Sequence, residues 1–107
     1  MREGLLQTQP LASSGTRLSV NAACDPGGYV KVEVTDVNDA PMPGRTRDDC
    51  DAFTGDAVVH TVTWRGDPSV PMPDTPTPRF RTPYRKLRFI LRAARVYGFR
   101  LHDGLHR

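Results

Sequence analysis

Long hydrophobic runs are missing from this 107-residue chain. None approaches the roughly 20 residues of a membrane-spanning helix, and the opening MREGLLQTQP lacks the apolar core of a signal peptide. Cysteine is scarce. Cys24 and Cys50 are the only two, with no Cys-x-x-Cys pair and no histidine at zinc-ligand spacing. A disulfide between them, worth roughly 3 kcal/mol, and two unpaired buried thiols both remain open. Gly-x-Gly-x-x-Gly and Gly-Lys-Ser/Thr phosphate loops are absent. No serine, histidine and aspartate stand in a motif that argues nucleophilic catalysis. His60, His102 and His106 are too scattered for a metal triad.

Proline and glycine, by contrast, are plentiful: ten and nine residues. They favour short elements joined by turns, as in all-β folds. A hydrophobic share of 37% and a charged share of 25% fit one folded domain, residues 1–107, with a single modest core. The net charge of +3 hides an asymmetry. Residues 1–78 carry six basic and eleven acidic side chains, and residues 79–107 carry nine basic and one acidic. Such a basic end suits an acidic polymer. It equally suits strands whose solvent face is arginine, which is the reading preferred here.

Three stretches read as strands. TRLSVNAA (16–23) alternates Leu18, Val20 and Ala22 with polar residues, and YVKVEVTD (29–36) alternates Val30, Val32 and Val34 with Lys31, Glu33 and Thr35. The Asp-Pro-Gly-Gly between them predicts a hairpin. AVVHTVTW (57–64) is the third. Residues 37–56 read as a long connection between sheets. Residues 65–85 read as a proline-rich surface insert, with six prolines between positions 68 and 83 excluding helix and central strand alike.

KLRFILRAARVYGFRL (86–101) fits either a basic amphipathic helix or two strands meeting near Ala93-Ala94-Arg95. Gly98 disfavours the helix by about 1 kcal/mol, and Phe89 and Phe99 join the apolar face only in the strand reading. The expectation is therefore an all-β antiparallel β-sandwich, jelly-roll-like. Its expected core is Val30, Val32, Val34, Val62, Trp64, Leu87, Phe89, Leu91, Tyr97, Phe99 and Leu101. Residues 102–107 are expected to be a flexible tail.

Taken in order, VKVEVTDVNDAPMPG, RDDCDAFTGDAVVHTVTWRG and KLRFILRAARVYGFRL resemble the C-terminal β-sandwich of bacterial glycoside-hydrolase-like proteins. Those proteins carry a five-bladed propeller of the levanase and invertase (family 32-like) type. The matching positions run from about Gly4 to Leu101. The resemblance implies a secreted or periplasmic parent whose catalytic carboxylates lie in the propeller, so this module is expected to be non-catalytic. It implies packing against that propeller and leaves a carbohydrate-contacting role open. The family has a further strand where this chain has only MRE before GLLQTQPL. A sandwich lacking its first strand exposes an edge that another copy can cover.

Candidate sites follow from chemistry alone. Asp48, Asp49, Asp51 and Asp56 crowd oxygen ligands into one loop, as Ca²⁺ requires, although the spacing is not that of an EF-hand. A solvated acidic loop that caps its own turns is the plainer reading, so no cofactor is expected beyond that calcium possibility. Tyr84 and Phe80 flank the insert and could form a platform for sugar rings, with Arg88 and Arg92 supplying cations for an anionic glycan. Trp64 is expected to close the core instead. A small basic nucleic-acid binder is the remaining alternative, weakened because the aromatics of 86–101 alternate away from the arginines. Packing and self-association form the leading functional expectation, with carbohydrate binding second.

Overall fold

The computed structural model describes residues 3–9, 11, 16–71 and 85–102, with backbone alone at 57 and 58. Four strands appear in it: β1 (Gly4–Gln7), β2 (Arg17–Thr35), β3 (Asp56–Thr61) and β4 (Lys86–His102). They form one antiparallel sheet in the order β1-β4-β2-β3. Among the described residues there is no helix, so none is long and apolar enough to cross a membrane. The all-β antiparallel expectation holds, and the helical reading of 86–101 is excluded.

The sheet is built on one long strand pair. Val30, Val32 and Val34 of β2 lie opposite Leu91, Phe89 and Leu87 of β4, and Leu18 and Val20 lie opposite Leu101 and Phe99. Opposed residues share a face, so these apolar pairs line the inner side. The expected hairpin at 24–28 is not there. Both halves of β2 run along the same partner, and Asp25–Gly28 bulges out opposite Ala93 before the ladder resumes at Tyr29. Gly27 has φ 82°, so the Pro-Gly-Gly chemistry is used, but for a bulge instead of a reversal. Gly28 sits so close to β4 that a Cβ there would lie 2.4 Å from the Ala93 carbonyl oxygen. Residues 86–101 are likewise one strand. Ala93, at φ 47°, marks where two strands had been expected to meet.

Two more bulges flank Asn21. On β4, Tyr97 is an extra residue between Val96, paired with Ala22, and Gly98, paired with Asn21. On β3, Val58 and Val59 together oppose Asn21, between the His60–Val20 and Ala57–Ala22 pairs. The β4 bulge shifts the alternation by one. Val96 and Phe99 both face inward, whereas Tyr97 is 62% exposed. Tyr97 therefore leaves the expected core. So does Phe99, which keeps an inward direction but is 41% exposed because little lies over it.

Irregular chain forms the opposite layer. Cys50, Phe53, Val62, Trp64 and Val70 pack in one cluster with the inner residues of β2 and β4. A second sheet, which a jelly-roll sandwich would place here, is not formed by the described residues. The same chain satisfies the free edge of β2. Val30 exchanges both backbone hydrogen bonds with Phe53, and Val34 bonds Arg45 and Met42. At Val32 the partners are side chains: Trp64 Nε1 donates to its carbonyl at 2.8 Å, and its N–H donates to Cys50 Sγ at 3.3 Å. Trp64, 1% exposed, thus closes the core as expected.

The proline-rich segment starts at the surface, with residues 65–67 exposed, but two of its residues turn inward. Val70 and Arg85 are both buried, and Arg85 Nη1 donates to the carbonyls of Val70 and Pro71. Residues 72–84 lie outside the described residues, as do 103–107 of the expected tail. His102, placed in that tail by sequence, is the last residue of β4 and pairs with Arg17.

Candidate functional site

The acidic loop serves its own turns. Asp49 Oδ2 accepts from the Thr46 N–H and hydroxyl, while its Oδ1 accepts from Arg65 Nε at 3.0 Å. Asp51 Oδ2 accepts from the Thr63 hydroxyl at 2.5 Å and from the Gly66 N–H at 2.8 Å. The Thr46 hydrogen bonds hold the Asp49 carboxyl below the ordinary range, and the Thr63 bond does the same for Asp51. Asp48 is exposed and Asp56 begins β3 against Ala23. The four are not brought together as a ligand set. Among the described residues no three histidine, cysteine, aspartate or glutamate side chains form a group that could hold a metal ion.

The proposed glycan contacts fare unevenly. Phe80 and Tyr84 lie outside the described residues. Arg92 is exposed on β4. Arg88 is engaged: its Nη1 donates to Glu33 at 2.8 Å, and Glu33 is buried. Arg85 is buried, and Lys86 is tied to Asp39 at 2.9 Å. The outer face of the final strand is therefore less cationic than its composition suggests, because β2 and the following turn supply carboxylates to it.

A second polar group fastens the N-terminal segment. Glu3, just before β1, accepts hydrogen bonds from Arg47 and from the Tyr29 hydroxyl. The Arg47 guanidinium, followed by the Tyr29 hydroxyl, lowers the Glu3 carboxyl to about 2. Asp39 extends this fastening by accepting from Gln7 at 2.7 Å as well as from Lys86.

The cysteines are free. Burial pushes the Cys50 thiol up to about 11, and burial also raises Cys24. Neither is poised as a nucleophile, since the thiolate is the reactive form. His60 is half-buried, with its ring 4.3 Å from that of Phe53.

One further feature follows the exposed N-terminal edge expected from the sequence, and another was not expected. The first is an apolar, uncharged sheet edge. β1 lies outermost, with Leu5 63% and Leu6 51% exposed. Beside it on the inner face, Leu6, Phe89, Val96, Tyr97 and Phe99 line a groove of about 210 Å³. The second lies on the outer face near Asn21. There Ser19, Asn21, Val59, Gly98, Arg100 and His102 line a groove of about 390 Å³, together with the neighbouring residues Val20 and Phe99. The Ser19 hydroxyl and His102 Nε2 are 2.7 Å apart across the β2–β4 ladder. The break in alternation over Val96-Tyr97-Gly98-Phe99 was the available signal for the second, because it interrupts a period of two.

Comparison with protein-family models, curated proteins and solved structures finds no match to this chain.

Proposed function

We propose that the chain is a non-catalytic accessory module of a glycoside-hydrolase-like parent, and that its role is packing, with a second copy of itself pairing along β1. The observation that carries this reading is the composition of that edge. Natural edge strands are blunted by charge, proline or bulges. Gly4-Leu5-Leu6-Gln7 has no charge or proline, its ladder to β4 is regular, and both leucines are more than half exposed.

The geometry suits an antiparallel pairing. Thr8 N–H donates to Leu87, so the alternation of an antiparallel ladder directs the backbone groups of Leu5 and Gln7 away from β4. A two-fold axis at Leu6 sets Leu5 opposite Gln7 of the second copy, where the pair exchanges both backbone bonds. The two Leu6 side chains then meet on the inner face, beside the groove lined by Tyr97 and Phe99. Such a contact is self-complementary and closes at two copies. Fastening of Glu3 to Arg47 and Tyr29 keeps the edge in place before association, which reduces the ordering that pairing requires.

Light scattering over a concentration series tests this. A dimer that disappears in Leu6→Lys supports it. A chain that stays monomeric into the high micromolar range, or a dimer indifferent to Leu6→Lys, rejects it.

A further inference from the structure

The outer groove at Asn21 has features that packing through β1 does not use. It lies toward β3, while β1 borders the opposite side of β4. Three strands contribute to it, and its shape comes from the two bulges flanking Asn21. Bulges commonly re-aim side chains beside functional sites. Here the β3 bulge directs Val59 outward, leaving it 71% exposed. The floor is Gly98, where an added Cβ would meet nothing within 4 Å. A glycine within a strand weakens it and often marks close approach of another group. The space above Gly98 is thus left by the absence of a side chain between Val59 on one side and Arg100 and His102 on the other.

We propose that this groove is a binding site for a small organic anion with an apolar, ring-sized body. Its volume of about 390 Å³ lies in the range of small-ligand sites. Val59 supplies apolar wall, and the open backbone at Gly98 lets a flat group approach the sheet. Arg100 lines the rim and forms no ion pair among the described residues. No acidic side chain lines the groove, so the charge there favours a carboxylate or sulfonate. A guanidinium meets either with paired N–H donors.

Ser19 and Asn21 add orientation. A serine hydroxyl donates once and accepts twice. When His102 Nε2–H donates to Ser19 Oγ, the Ser19 O–H is released to donate to the anion. The Asn21 amide, on the same face two residues along β2, offers a further donor on the other side of the Gly98 gap. Apolar wall at one end and donors converging at the other is the arrangement that selects an amphipathic anion over a neutral ring or a bare inorganic ion.

Titration of the full chain with 2-naphthoate, followed by amide chemical shifts, reads this directly, with 2-naphthamide as the uncharged control. Saturable shifts are expected at Ser19, Asn21, Val59 and Gly98–His102, with the amide binding about tenfold more weakly or worse. Arg100→Gln should erase that preference, and Gly98→Leu should abolish binding while the remaining spectrum stays folded. Leu6→Lys should leave the titration unchanged, which separates this site from the β1 contact. Equal binding of the two probes, shifts centred on Leu6 and Tyr97, or undiminished binding in Gly98→Leu would each overturn the proposal.

Discussion

The β2–β4 pair contains two stretches of similar sequence pattern and opposite fate. Between Val30 and Val34 every inward side chain is 0–2% exposed, and the far edge of β2 is bonded residue by residue to the covering chain. Between Val96 and Phe99, the same alternation of apolar and polar residues ends in a bulge, an exposed tyrosine and a half-covered phenylalanine. The partner strand is equally good in both. What differs is the opposite layer: Cys50, Phe53, Val62, Trp64 and Val70 lie against the core of the pair, while β1 extends only to the register of Leu91. A ladder makes a strand; a neighbour makes a core. The closed stretch carries the stability and the open stretch is available for contact.

That contrast can be broken most severely at its closed end. Trp64→Ala removes the largest buried side chain and the donor to the Val32 carbonyl, and should lower unfolding free energy by about 3–5 kcal/mol in denaturant titration. Next comes Gly28→Ala. The new Cβ would sit 2.4 Å from the backbone carbonyl oxygen of Ala93 on β4, so a loss of about 2 kcal/mol is expected, with the m-value unchanged. By comparison, Phe99→Ser in the open stretch should cost only about 1 kcal/mol, well below a fully buried phenylalanine. A loss as large as that of Trp64→Ala would mean that the stretch is closed after all.

The smallest effect concerns the clasp that holds β1. Glu3 is depressed to about 2 from an ordinary 4.5, first by Arg47. A depressed carboxyl contributes stability above its unfolded value and loses it as pH falls through the folded one. The contribution is therefore complete above about pH 4.5 and fades between there and about 2. Glu3→Gln should flatten the wild-type stability curve in that window and lower stability at pH 7 only slightly, because exposed ion pairs are screened by solvent.

Residue pattern alone conveyed the strand content and most of the core. Val30, Val32, Val34, Val62, Trp64, Leu87 and Phe89 are buried as their alternation requires, and Leu91 and Leu101 pack against them. Connectivity was less readable. Asp-Pro-Gly-Gly has the same local preferences in a bulge as in a hairpin turn, and only the long pairing with β4 decides between them. Tyr97 was misplaced because one inserted residue shifts a period of two. The candidate sites were the least readable. The acidic loop and the arginines of β4 are clear in composition, yet their partners, Thr46, Thr63, Glu33 and Asp39, come from elsewhere in the chain. Ser19 and His102, 83 residues apart, meet only through the ladder register.

Hydrogen exchange at the Leu5 and Gln7 amides, measured over a range of protein concentrations, tests the open-edge account most directly. In the single chain both amides point away from β4 and should exchange as fast as in an unstructured peptide, while Val32 and Val34 stay protected throughout. Pairing along β1 predicts that Leu5 and Gln7 slow together as concentration rises, and that Leu6→Lys keeps them fast. Exchange at these two amides that is slow at every dilution, or fast at concentrations where the protein is already dimeric, would contradict it.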